Sequence, residues 1–93
     1  MEIQQIEDDN GTYFKAIENG ETAGAMSYSW AGKEKFIIDH TEVNPAFNGK
    51  GVGKQLVLEA VKFARENNIK IMPLCPFARS VFDKNPDFAD VRF

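Results

Sequence analysis

Cysteine and histidine are almost missing: the 93-residue chain holds one of each, Cys75 and His40. A lone cysteine forms no internal disulfide and supplies no cysteine-rich zinc site. A lone histidine likewise excludes a multi-histidine metal centre. No stretch approaches the roughly 20 consecutive apolar residues of a membrane span, so no membrane partner is expected. Met1-Glu2-Ile3-Gln4-Gln5 carries neither the basic nor the apolar segment of a secretory signal, and a cytoplasmic location is expected. Nothing surrounds a serine in the manner of a hydrolase triad. Repeats, linkers and low-complexity stretches are absent too, so residues 1–93 are expected to form one domain. A domain of this size hides only roughly 60–65% of its unfolded surface, and its core is small.

What is present is an ordinary globular mixture, 43% hydrophobic and 27% charged. The net charge of −3 is unevenly spread. Residues 1–47 carry 3 basic and 9 acidic side chains, residues 48–93 carry 8 basic and 5 acidic. An anionic ligand therefore finds its field in the second half. The basic excess is too mild to argue for nucleic acid.

The first half reads as strands punctuated by turns. Asp9-Asn10-Gly11 separates Ile3–Glu7 from Thr12–Glu18, and Asn19-Gly20 is a two-residue hairpin signal before Glu21–Trp30. Ala31-Gly32-Lys33 turns into Lys35–Val43, which is rich in β-branched and aromatic residues. The period then changes. Val52, Leu56, Ala60, Phe63 and Ala64 fall on one helical face, widened by Val57 and Val61. Asn67-Asn68 is a helix stop. Ile69–Leu74 reads as a buried strand, Pro76 opens a short helix to about Asp83, and Phe88–Phe93 is expected as a last strand. The order ββββ–α–β–α–(β) is an α/β (α+β) fold with a mixed, mostly antiparallel sheet.

The most informative segment is Val43-Asn44-Pro45-Ala46-Phe47-Asn48-Gly49-Lys50-Gly51-Val52-Gly53-Lys54. A strand runs through alternating glycines into a helix. Glycines let a backbone approach a ligand closely, and the first helical N–H groups lie unpaired at the positive end of the helix dipole. Together they suit a pyrophosphate, with Lys50 and Lys54 adding charge. A Walker A loop is excluded because Gln55 follows Lys54. A dinucleotide fingerprint is excluded because the segment follows four antiparallel strands. A glycine turn that merely starts a helix is the plainer alternative.

With Val43-x-Pro45 and Gly51-Val52-Gly53, the segment resembles the signature of the GNAT superfamily of N-acetyltransferases. The run Pro73-Leu74-Cys75-Pro76-Phe77 makes the chain similar to the small YjdJ-type branch of that superfamily. The resemblance covers nearly the whole chain and implies acetyl-CoA as acetyl donor and an amine as acceptor. It implies that the amides of Asn48, Gly49, Lys50, Gly51, Val52, Gly53 and Lys54 hold the pyrophosphate, and that the strand edge at Thr41, Glu42 and Val43 pairs with the pantetheine arm. Two departures stand out. Asn48 occupies a position where the family usually has Arg or Gln. The tyrosine that protonates the leaving thiolate in many members falls near Phe82, which has no hydroxyl.

Cys75 precedes Pro76 and a helix start, where unpaired N–H groups favour a thiolate, and Arg79 one turn on adds positive charge. It is a candidate nucleophile. As a lone cysteine it is equally readable as a small buried hydrophobe. His40 is a candidate base or thiol activator, being of the one side-chain type that titrates near neutrality. It is expected on one face with Phe36 and Ile38, where it is otherwise a half-buried, satisfied side chain. Glu42 is a second candidate base. Trp30, Tyr28 and Phe36 read as core or pocket wall. A catalytic acetyltransferase, a non-catalytic acetyl-CoA-binding module and a plain interaction domain thus remain as alternatives.

Overall fold

The computed structural model describes residues 1–9 and 11–93; Asn10, inside the first expected turn, lies outside them. Strand β1 (Glu2–Asp8) pairs with β2 (Gly11–Glu18), β2 with β3 (Glu21–Trp30) and β3 with β4 (Lys35–Val43), all antiparallel. Asn19 and Gly20 join β2 to β3 with left-handed backbone, φ 52° and 79°. That is the turn whose twist matches the flanking strands. Helix α1 (Val52–Asn67) returns the chain so that β5 (Lys70–Pro73) pairs parallel to β4. The sheet order is β1-β2-β3-β4-β5. The second helix, α2 (Pro76–Lys84), follows β5 directly.

The apolar stripe read from the sequence is the buried face of α1: Val52, Leu56, Val57, Ala60, Val61 and Ala64. It packs on Phe14, Ala16, Met26, Tyr28, Phe36 and Ile38 from the sheet. The rings of Tyr28 and Phe36 lie 4.7 Å apart, and Trp30 meets Phe36 edge-on at 5.7 Å. Tyr28 and Phe36 are core, as expected, whereas Trp30 is 39% exposed. Asn68 ends α1 in left-handed conformation, φ 55°, and the Ile69 N–H donates to the Ala64 carbonyl at 2.9 Å. No helix among the described residues is long and apolar enough to cross a membrane.

The expected last strand does not form. Pro86–Asp90 is a 3₁₀ helix, and only Arg92 bridges to Ile71. Proline sets the backbone angle for a helical turn, and Phe88 is then buried against Phe82, with ring centroids 5.5 Å apart. Arg65 clamps this tail by two 2.9 Å bonds to the Asp90 carboxylate and one of 2.8 Å to the Asp87 carbonyl.

The feature that shapes the site is an irregularity in β4. Ile38 pairs with Tyr28 but His40 pairs with Ser27, so Asp39 is an extra residue opposite the partner strand. Such a bulge reverses the facing of the residues beyond it. Thr41 and Val43, opposite buried Met26 and Gly24, therefore face the helices. His40 and Glu42, opposite Ser27 and Ala25, face the helix-free side.

Candidate functional site

The loop after β4 is held by its own polar groups. The Asn44 N–H donates to the Ala23 carbonyl at 2.8 Å, and the Asn44 side chain accepts from the Ala46 N–H at 3.0 Å. That bond caps a short 3₁₀ turn, Pro45–Phe47, whose Phe47 is buried and anchors the loop. Gly49 and Gly51 then adopt φ 79° and 72°, which an L side chain rarely tolerates. The space where their side chains would stand is open. Gly51 caps α1 without a side chain, and the first turn of α1 holds no acidic residue. The N–H groups there are free of intrahelical partners and no carboxylate competes with an incoming anion. They border a hollow of about 270 Å³ lined by Val43, Phe47, residues 48, 49 and 51–54, and Phe77. Lys50 stands over the Phe47 ring at 5.4 Å.

Gly53 has a different task from its neighbours. It is buried, and a Cβ there would sit 2.6 Å from the tip of the Phe77 ring. Its lack of a side chain seats the start of α2 against the start of α1. Gly24 works the same way beneath the loop: a Cβ would lie 2.8 Å from the Glu42 carbonyl and 2.9 Å from Val52.

Midway along β4 the parallel pair opens, toward the end that carries the loop. Pairing with β5 stops at Ile38–Pro73, and the Cys75 N–H makes the last bond across, 3.1 Å to the Ile38 carbonyl. Beyond it, the β5-side edge of residues 39–43 pairs with no strand among the described residues. Cys75 is the residue before α2, 6% exposed, with Sγ 3.4 Å from the Thr41 hydroxyl. Burial pushes its pKa up, but the Thr41 hydroxyl and the N–H groups of Ala78, Phe77 and Thr41 outweigh burial and leave the thiol below its ordinary value. No side-chain bond of ordinary capping geometry closes from the sulfur; the stabilisation comes from dipoles facing it. Thr41 escaped the sequence reading as a thiol partner because only the bulge turns it toward Cys75.

His40 is where the structure departs most from expectation. It does not share a face with Phe36 and Ile38 and is not half-buried: its side chain is 67% exposed and pairs with Glu42 at 3.0 Å. The two line a hollow of about 210 Å³ with Tyr13, Ala25 and Ser27 on the helix-free side. The body of β4 separates His40 from Cys75, so the geometry does not bring it to the thiol. Arg79 is exposed, lines neither hollow beside the loop, and meets the Cys75 carbonyl only through its backbone N–H, at 2.9 Å. Phe82 is 2% exposed and packs on Phe88.

A parallel strand pair that splays beside a strand–glycine loop–helix junction is the GNAT-type acetyltransferase architecture. The family profile described as GCN5-related N-acetyl-transferase matches residues 12–91, and the chain belongs to that family. It is similar to Protein NATD1 of Xenopus tropicalis, 34% identical over 83% of this chain and 63% of that protein. The chain thus spans under two thirds of that relative's length. It is also similar to the streptothricin acetyltransferase of Streptomyces lavendulae, 40% identical over 62% of this chain and 31% of that one. The solution structure of a GCN5-like protein from Staphylococcus aureus superposes with a TM-score of 0.75 at 33% identity, covering 99% of this chain and 87% of that one.

Proposed function

We propose that the chain binds acetyl-CoA as acetyl donor and passes the acetyl group to an amine. One observation carries this reading: the gap between β4 and β5 leads from a loop suited to an anion to a cysteine whose pKa is lowered. In this reading the amides of Asn48, Gly49, Lys50, Gly51, Val52, Gly53 and Lys54 hold the diphosphate. The open edge at Thr41, Glu42 and Val43 pairs with the pantetheine arm, and the thioester lies against Cys75. The Cys75 thiolate attacks the acetyl carbonyl carbon; a carbon–sulfur bond to the protein forms, the bond to CoA breaks, and the CoA thiolate takes up a proton. An amine then attacks the protein thioester, giving an amide and restoring Cys75. His40 and Glu42 face the side free of helices, so any base role they have is toward the acceptor.

The relative named a streptothricin acetyltransferase supports acetyl transfer as the chemistry. A second reading is a non-catalytic acetyl-CoA-binding module. It is favoured by Phe82, a buried ring without a hydroxyl near the position that holds the tyrosine acid in many members. Incubation with acetyl-CoA separates the two. A gain of about 42 Da at Cys75, absent from Cys75→Ala, marks the covalent route. Acetylated amines without that adduct mark direct transfer. Binding with neither leaves the module.

A further inference from the structure

The helix-free face of the sheet carries a trough. Strand register sets two rows across it, Tyr13–Ser27–His40 and Lys15–Ala25–Glu42. In each row a small residue of β3 stands between longer side chains of β2 and β4, so β3 is the floor. Two hollows follow that floor. One, of about 260 Å³, reaches from Ala25 and Glu42 to Thr22 and Asn44. The hollow of about 210 Å³ beside His40 shares Ala25 and Glu42 with it, so the two join there. No lysine or arginine among the described residues lines either one. Lys15 stands at the outer end of its row. The Glu42 carboxylate at the junction is 77% exposed and meets His40 through one oxygen. Asp8, 3.5 Å from the Tyr13 hydroxyl, and Asp39, which accepts from Ser29, add two carboxylates to this face. Four of the five strands come from residues 1–47, which carry 3 basic and 9 acidic side chains. The field there draws cations.

The trough lies one wall away from the gap between β4 and β5. The segment 39–43 that borders the gap turns Thr41 toward Cys75 on one face and His40 and Glu42 outward on the other. Resting on the transfer reading, an amine that reacts at the gap extends the rest of its molecule over β4, between His40 and Glu42. From the edge of β4 to the floor on β3 is one to two strand spacings, roughly 5–10 Å. A second charge that far from the reacting nitrogen falls beside Glu42. We infer that the acceptor is a linear diamine or oligoamine, with its reacting nitrogen at the gap and a second ammonium in the trough against Glu42. A neutral far end gains nothing from the trough, and an anionic one is repelled.

Three acceptors of one length differ only in the far end: 1,5-diaminopentane, 1-aminopentane and 5-aminopentanoate. With saturating acetyl-CoA at low ionic strength, kcat/KM is expected to fall in that order. The diamine is expected to exceed the monoamine by roughly three- to fivefold, the upper range of an exposed ion pair, beyond the factor of about two from its two equivalent nitrogens. Added salt shrinks the preference. Glu42→Gln is expected to remove it. The ratio of the two acceptors is the readout, because loss of a base slows both alike and leaves the ratio unchanged. Ala25→Leu fills the floor from outside the core and is expected to raise KM for the diamine while calorimetry shows acetyl-CoA affinity kept. Equal kcat/KM per nitrogen for diamine and monoamine, a preference for 5-aminopentanoate, or a ratio that survives Glu42→Gln overturns the inference and leaves acetyl transfer standing. Transfer to a protein or ring-borne amine but to none of these three also overturns it alone. Protein that binds acetyl-CoA yet acetylates no amine overturns the transfer reading itself.

Discussion

At the scale of single residues, the thiol of Cys75 and the hydroxyl of Thr41 form the pair on which the proposed covalent route rests. Their 3.4 Å contact and the facing amides hold the thiol below its ordinary pKa against burial, which pushes the other way. Alkylation of Cys75 followed against pH is therefore expected to show a midpoint below that of an ordinary free cysteine. Thr41→Val is expected to raise that midpoint, and His40→Ala to leave it unchanged, because His40 lies across the sheet. The linked stability has the depressed-pKa sign: it is present above the unfolded thiol's pKa and is lost as pH falls through the folded one. Phe82→Tyr places a hydroxyl in a 2% exposed site beside Phe88. It is expected to cost about 1–3 kcal/mol without raising acetyl transfer, checked by denaturation and by turnover. Cys75 was legible as a residue at a helix start because Pro76 follows it. The facing of His40 was not, because counting alternate residues from Phe36 assumes a strand without an extra residue, and nothing in Asp39-His40-Thr41 announces one.

At the scale of elements, two glycines without positive φ show how strand and helix approach one another. Gly24→Ala meets the Glu42 carbonyl and Val52, a fixed backbone and a buried side chain, and is expected to destabilise by about 1–3 kcal/mol. Gly53→Ala meets only the tip of the Phe77 ring, which is 42% exposed and free to swing away. It is expected to cost less than about 1 kcal/mol. Thermal unfolding separates the two, since about 1 kcal/mol moves the midpoint by roughly 4–8 °C in a domain this small. The strands and α1 were legible because their periods and turn residues agree. The tail was not: Phe88, Val91 and Phe93 suggest a strand, but Pro86 starts a helical turn and the Arg65–Asp90 clamp holds it. The Arg65 guanidinium beside Asp90 also keeps that carboxyl below its usual pKa. The clamp is thus complete above the carboxylate range and is released as pH falls through it. Acid is expected to expose the amides of residues 86–93 to exchange before those of the sheet.

At the scale of the whole molecule, the charge asymmetry read from composition has a structural counterpart. The basic second half supplies the glycine loop and both helices that flank it, while the helix-free face displays Glu42 and His40. The glycine loop was legible because alternating glycines between a strand and a helix start leave a recognisable pattern. The hollow on the helix-free face was not, because His40, Glu42, Tyr13 and Ser27 come from three strands with no spacing that joins them. The central claim is that a diphosphate-bearing donor sits on the loop, and calorimetry of acetyl-CoA on wild type, Gly51→Ala and Gly51→Glu tests it most directly. Both substitutions carry the same left-handed backbone cost, roughly 1–2 kcal/mol, but only glutamate adds an opposing charge. The wild type is expected to bind saturably, and Gly51→Glu to bind at least tenfold more weakly than Gly51→Ala, a difference of about 1.4 kcal/mol. Equal affinity of the two variants, or a wild type that does not bind, contradicts the claim.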